Sequence, residues 1–282
     1  MFSVKEFDGY IELVGLVGFD IGKIFDCGQC FRFDEFDGYI EGIALGKVIR
    51  LEQPSPDRVI IKGITKKEFE DVFCHYLALD ADYDEVDRDI IERLNGDKTI
   101  SKAIEYGKGI RLLRQDSWEA LCSFIISQNN NIPRIKKIIA NMSEAFGEKI
   151  DEQHYDFPTA EALYNAGVDK IFELKTGFRA KYIFDAAEKV VSGEIDLGLV
   201  ENMTTSEATE YLMRIKGVGL KVASCALLFG FNKTDAFPVD VWVKRVLEKY
   251  YPDGLDLTTL GDNAGMIQQY LFYYERYNKL QG

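Results

Sequence analysis

Lys221 and Asp240, nineteen residues apart, are the two side chains best placed in this sequence to do chemistry. Lys221 follows the Gly217-Val218-Gly219 turn by two residues. The glycines end one helix and the next begins at once, which leaves several backbone N–H groups unpartnered at its mouth. Free N–H groups and the helix dipole make an anion site, and residues without a Cβ let a phosphate come close. Such a helix-hairpin-helix grips a nucleic-acid backbone without reading its sequence. The positive helix end disfavours an ammonium on Lys221, which makes it a candidate amine nucleophile; the alternative is a plain phosphate contact. Asp240 closes Phe237-Pro238-Val239-Asp240 just before an expected helix. There an aspartate is an ordinary N-cap, but a carboxylate beside a reacting sugar also stabilises developing positive charge and manages a proton. Gln268 and Phe272 lie four apart and share a helix face. An amide to read a base edge and a ring to stack on it suit a base pocket, although Phe272 could equally be core.

The elements that must hold these residues are mostly helical. The hairpin's first helix opens at Thr204, which has capping-box spacing to Glu207, and its second carries Val222, Ala223, Ala226 and Leu227. From residue 85 onward the periodicity predicts helices at roughly 86–94, 98–107, 117–128, 132–146, 159–165, 179–191, 206–215, 219–229, 241–250 and 262–276. Before that, strands are expected at 10–17, 29–33, 39–45, 47–51 and 58–61, with turns at Asp37-Gly38 and Gln53–Asp57. A second capping box, Thr65 to Glu68, opens a helix striped by Phe69, Val72, Phe73, Tyr76 and Leu77. The class is α+β: an N-terminal antiparallel sheet domain with helices over 1–115, then an all-α domain over 116–282.

Composition narrows the possibilities. The formal net charge of −13 is unusual for a nucleic-acid binder, but the charge is uneven. Residues 80–92 hold seven carboxylates, whereas residues 211–250 hold seven basic groups against three carboxylates. The basic stretch contains the hairpin and is the expected DNA-facing surface. No apolar run approaches the roughly 18 residues of a membrane span, and the N-terminus lacks a signal-peptide layout. A cytoplasmic monomer is expected, nucleoid-associated in a prokaryote. Cys27 and Cys30 form a C-x-x-C, but Cys74, Cys122 and Cys225 are scattered and the two histidines lack ligand spacing, so no side-chain metal site is expected.

Ordered blocks along most of the chain resemble the 8-oxoguanine DNA glycosylase family of the helix-hairpin-helix glycosylase superfamily. They are Cys27–Phe33, Tyr76–Asp80, Gly109–Asp116, Ser123–Ile135, Gly177–Tyr182, the hairpin with Lys221, Pro238–Val241 and Ala264–Phe272. The resemblance implies double-stranded DNA as partner and a base flipped out of the stack. It implies Lys221 as the nucleophile at C1′, forming a Schiff base that permits β-elimination, with Asp240 also catalytic. It implies the damaged base stacked between Phe272 and Cys225, read by Gln268, with the Gly28 carbonyl accepting the N7 proton that guanine lacks. Asn129, Arg134 and Arg179 would face the orphaned cytosine, and Phe178 would wedge beside the lesion. Gly217, Gly219 and residue 242 would hold phosphate. The family histidine at that last position is Trp242 here, which can donate one hydrogen bond but cannot become a cation. No cofactor is implied, although a monovalent or divalent ion can bridge hairpin carbonyls to phosphate.

Two alternatives remain. A monofunctional superfamily glycosylase for other damaged bases would not need Lys221. A non-catalytic DNA-binding module would explain Gly217 and Gly219 but not Lys221, Asp240, Gly28 and Phe272 together.

Overall fold

A computed structural model describes residues 2–94 and 96–278. Six strands come first: β1 (Ser3–Phe7), β2 (Tyr10–Val14), then after helix α1 (Ile21–Asp26) β3 (Phe33–Phe36), β4 (Tyr39–Ala44), β5 (Lys47–Ser55) and β6 (Arg58–Lys62). They form one antiparallel sheet in the order β1-β2-β6-β5-β4-β3. The register places Ile11 beside Ile61 and Ile61 beside Leu51, so period-two alternation gathers the apolar side chains on one face. That face is covered by Ile24 and Phe25 of α1 and by Phe69, Phe73 and Tyr76. The last three belong to a continuous helical stretch of α2 (Lys66–Glu68), a π turn over Phe69–Phe73 and α3 (Cys74–Tyr76). Its capping box is present, with the Glu68 nitrogen donating to Thr65 Oγ1 at 3.2 Å.

Residues 29–33 are not the expected strand. Gln29 is fully buried in a connector, where its amide donates to the carbonyls of Ile24 and Arg111, each at 2.9 Å, and accepts from the Leu113 nitrogen at 2.8 Å. Its polar side chain does the work of a strand partner, and pairing in the sheet begins only at Phe33. The expected turn at 53–57 is shorter than anticipated. β5 runs to Ser55 through a bulge, and the Gln53 amide fills it by donating to the Phe19 carbonyl at 2.7 Å. Two elements gave no clear sequence signal. β1 is an edge strand with little buried surface, and α1 spans six residues.

The remainder is helical: α4 (Tyr83–Arg93), α5 (Lys98–Gly107), α6 (Ser117–Ser127), α7 (Ile132–Phe146), α8 (Ala160–Ile171), α9 (Ala180–Ser192), α10 (Thr205–Leu212), α11 (Leu220–Gly230), α12 (Val241–Tyr250) and α13 (Ala264–Asn278). The architecture is the expected α+β one. α8 continues beyond its expected end, broken at Gly167, where φ is 80°. α6 is buried all round from Ala120 to Ile126, which makes it the central helix of this core. α4 and α5 supply Ile90, Ile100, Ala103 and Ile104 to the helical core rather than to the sheet's. The Tyr270 hydroxyl of α13 donates to Asp87 at 2.7 Å, and Tyr251 donates to Asp97 at 2.8 Å, tying the last helices to α4 and the start of α5. No helix among the described residues is long and apolar enough to cross a membrane.

Candidate active site and DNA interface

The N-termini of α11 and α12, the C-terminus of α6, one face of α13 and the Cys27-Gly28 turn surround a cleft of about 1270 Å³. Lys221, Cys225, Asp240, Gln268, Phe272 and Gly28 all line it, although the sequence separates them by up to 244 positions. Asn129, Arg134, Phe178, Gly219 and Trp242 line it too.

The hairpin assigns different tasks to its two glycines. Gly217 has φ of +80°, and a Cβ there would lie 2.3 Å from the Tyr182 ring. Gly219 is the N-cap of α11, has φ of −103° and would meet nothing within 4 Å. Open space over a helix N-terminus suits a phosphate oxygen. Gly219 is therefore open to close approach by DNA, while Gly217 is covered and shapes the turn. Gly217→Ala adds left-handed strain and overlap, and should cost about 2–5 kcal/mol of stability. Gly219→Ala should leave the melting temperature within a few degrees of the wild type but weaken binding to undamaged duplex. Thermal melts and titrations of both variants check this; equal melting temperatures would contradict it.

Lys221 reaches back from α11 to α6. Its Nζ donates to Ser127 Oγ at 3.1 Å and lies 5.4 Å from the centre of the Phe124 ring. One turn on, the Cys225 thiol is buried, which pushes its pKa up to about 11 against the opposing pull of Lys221. Asp240 caps α12, with Oδ1 accepting from the nitrogens of Trp242 and Val243 at 2.9 and 2.8 Å. Both capping bonds fall on one oxygen. Burial raises the Asp240 carboxyl above the ordinary carboxylate range, and the Val243 N–H and the Lys221 charge oppose that rise. Asp240 is thus a cap and also an electrostatic neighbour of the amine.

Gly28 has φ of +77°, and a Cβ there would be 3.3 Å from Phe272 Cζ. Any larger residue would both strain the turn and crowd the ring. The Gln268 side chain is buried, and its Oε1 has no hydrogen-bond partner among the described residues. A buried acceptor without a partner is costly unless a ligand supplies the donor.

Sequence reasoning missed the residues that hold this wall in place. Gln269 Nε2 donates to the Cys27 carbonyl at 2.7 Å. Arg276 and Tyr277 donate to the Asp26 carbonyl at 3.3 and 3.0 Å. These residues fall at i, i+7 and i+8 along α13, a stripe visible in the sequence, but their target lies about 240 residues away.

At the other end of the cleft, Phe178 is half exposed and Asn129 has φ of +48°. Arg179 is 2% exposed and does not line the cleft. Its guanidinium donates to the carbonyls of Gln128, Asn129 and Thr176. In this conformation it positions the Asn129 turn rather than presenting itself to a base. Arg134 remains on the cleft, with Nη2 3.5 Å from the Lys175 carbonyl. The Arg245 guanidinium lies 4.8 Å from the Trp242 ring centre, so a permanent cation stands beside the residue that cannot itself carry charge.

Comparison with known proteins identifies the family and the fold. Residues 14–121 match the 8-oxoguanine DNA glycosylase N-terminal domain, and residues 122–255 match the HhH-GPD superfamily of base excision DNA repair proteins. A Saccharomyces cerevisiae N-glycosylase/DNA lyase is 36% identical over 159 residues, which cover 51% of this chain and 42% of the yeast protein. The structure of MBOgg1 in complex with a low-affinity DNA ligand superposes with a TM-score of 0.92 at 40% identity, covering 99% of both chains. The Clostridium acetobutylicum 8-oxoguanine glycosylase/lyase, in complex with double-stranded DNA containing cytosine opposite 8-oxoguanine, gives 0.89 at 38% identity, over 99% of this chain and 98% of that one. On the fold, the ordered motifs and these full-length likenesses, the chain belongs to the 8-oxoguanine DNA glycosylase/lyase family.

Proposed function

We propose that this protein is a bifunctional base-excision repair enzyme, which removes 8-oxoguanine from opposite cytosine in double-stranded DNA and then cleaves the strand at the abasic site. One observation supports the reading above all. The Lys221 amine, the Asp240 carboxylate and the Phe272 ring, drawn from three helices, share one cleft with Gly28 and Cys225.

The N-terminus of α11 and the open face of Gly219 take the DNA backbone. The flipped base enters between Phe272 and Cys225, with the unpartnered Gln268 Oε1 accepting from its edge and the Gly28 carbonyl accepting from N7–H. Neutral Lys221 attacks C1′, the glycosidic bond breaks, and the base leaves with the bonding electrons and takes up the proton that the newly alkylated amine sheds. Asp240 stabilises positive charge on the opening sugar. Ring opening gives a protonated imine, whose pull on the adjacent C–H permits loss of that proton and departure of the 3′ phosphate. Phe178 fills the vacated stack, while Asn129 and Arg134 offer donors to the cytosine acceptors. Arg179 supports them through the Asn129 turn and would reach the cytosine itself only by giving up its carbonyl partners.

This chemistry requires no cofactor. A monovalent or divalent ion at the hairpin would take its ligands from backbone carbonyls and a DNA phosphate. We assign the protein to the cytoplasm as a monomer, on the nucleoid if its source is prokaryotic. An end-labelled duplex with one 8-oxoguanine, paired in turn with each of the four bases and incubated without magnesium, tests the reading. Strand cleavage fastest opposite cytosine is expected. Equal cleavage of undamaged duplex, or base loss that needs alkali for nicking, would contradict it.

A further inference from the structure

Lys221 has four rotatable side-chain bonds, and a nucleophilic amine must be held in one place to attack a single carbon. The structure shows what holds it. Its Nζ donates to Ser127 Oγ at 3.1 Å, and that hydroxyl donates its own proton to the Phe124 carbonyl at 2.8 Å. With its only hydrogen committed, Ser127 can only accept from the lysine. An amine that donates one N–H to α6 directs its lone pair away from α6. The cleft lies on that side, with Asp240 at the start of α12 and Cys225 one turn on along α11. The Phe124 ring supplies the second wall, 5.4 Å from Nζ. It is itself fixed by a stacked contact with Phe229 at 5.3 Å and an edge contact with Phe31 at 5.7 Å.

We propose that Ser127 is a positioning residue that orients the nucleophilic amine of Lys221 through a hydroxyl locked as an acceptor. The inference rests on Lys221 being the nucleophile. Ser127 ends α6 and is only half buried, so alanine there is compatible with the fold. Threonine keeps the hydroxyl and makes the same bond back to a carbonyl three or four residues earlier.

The test measures single-turnover excision and borohydride trapping on an 8-oxoguanine:cytosine duplex for wild type, Ser127→Ala and Ser127→Thr, with duplex binding measured alongside. Ser127→Ala should slow both excision and trapping by about 10- to 100-fold, with lesion-duplex affinity within about twofold of wild type. Ser127→Thr should recover most of the rate. A general structural defect would weaken binding and would not be relieved by threonine. Alanine as fast as wild type, or threonine as slow as alanine, would overturn the role of Ser127 while leaving Lys221 as nucleophile. Excision by wild type with no trapped adduct would overturn both.

Discussion

Lys221→Gln should abolish excision of 8-oxoguanine while leaving the protein folded and bound to DNA. Glutamine keeps an unbranched polar chain one bond shorter than lysine, so it fits the space that Lys221 occupies on the cleft. It has no basic lone pair, and among the described residues Lys244 is the one other amine lining the cleft. Among the other basic residues lining the cleft, Lys244 lies on α12 and is largely exposed, and Arg134 and Arg276 carry guanidinium groups rather than amines. Loss of a covalent nucleophile costs roughly four orders of magnitude or more. Single-turnover excision should therefore fall below detection, with the dissociation constant for lesion duplex changed by no more than a few fold. Strand cleavage at a preformed abasic site should disappear as well, since it needs the same imine. Excision persisting within about tenfold of wild type would move the nucleophile elsewhere.

Asp240→Asn should lower the excision rate by about two to four orders of magnitude. The substitution separates the two roles of this side chain. An amide oxygen still accepts from the nitrogens of Trp242 and Val243, so the α12 cap survives and the melting temperature should move by only a few degrees. What is lost is the negative charge next to Lys221. The pH profile supplies a second readout. Burial raises the Asp240 carboxyl, so the charged form required for catalysis is lost at a higher pH than for an exposed aspartate. The acid limb of kcat/KM should therefore lie above the ordinary carboxylate range in the wild type and be missing from the Asn variant. An unchanged rate would reduce Asp240 to a helix cap.

The features that were legible in the sequence are those set by neighbours a few residues away. Both capping boxes, at Thr65 and Thr204, close as their spacing requires. The Asp37-Gly38 turn joins β3 to β4, and the Asp240 cap starts α12. The strand expected at 29–33 failed because Gln29 makes its bonds to Arg111 and Leu113, about 80 residues away, which no local pattern encodes. The carboxylate pattern at 80–92 does not by itself reveal what each side chain does. Asp82 caps α4, Asp87 accepts from Tyr270, and Asp80 pairs with Arg114 at 2.5 Å. In the site, the candidate reactive residues are named from type and spacing plus family resemblance, and the structure brings them to one cleft. Their neighbours Ser127, Gln269 and Arg276 are not so named, because each acts across a contact between distant segments, and Arg179, expected at the cytosine, turns inward through such a contact. The cation beside Trp242 is an intermediate case. Arg245 lies three residues on, within helical reach, yet its stacking depends on how the start of α12 meets the cleft.

The central claim is that Lys221 becomes covalently joined to the sugar, and borohydride trapping tests it most directly. The enzyme is mixed with an end-labelled duplex bearing one 8-oxoguanine opposite cytosine, an undamaged duplex serves as control, and the adduct is digested to locate the modified residue. The account predicts a stable protein–DNA adduct on the lesion duplex alone, attached at Lys221 and absent from Lys221→Gln. Base release without an adduct, or an adduct that survives in Lys221→Gln, would contradict it.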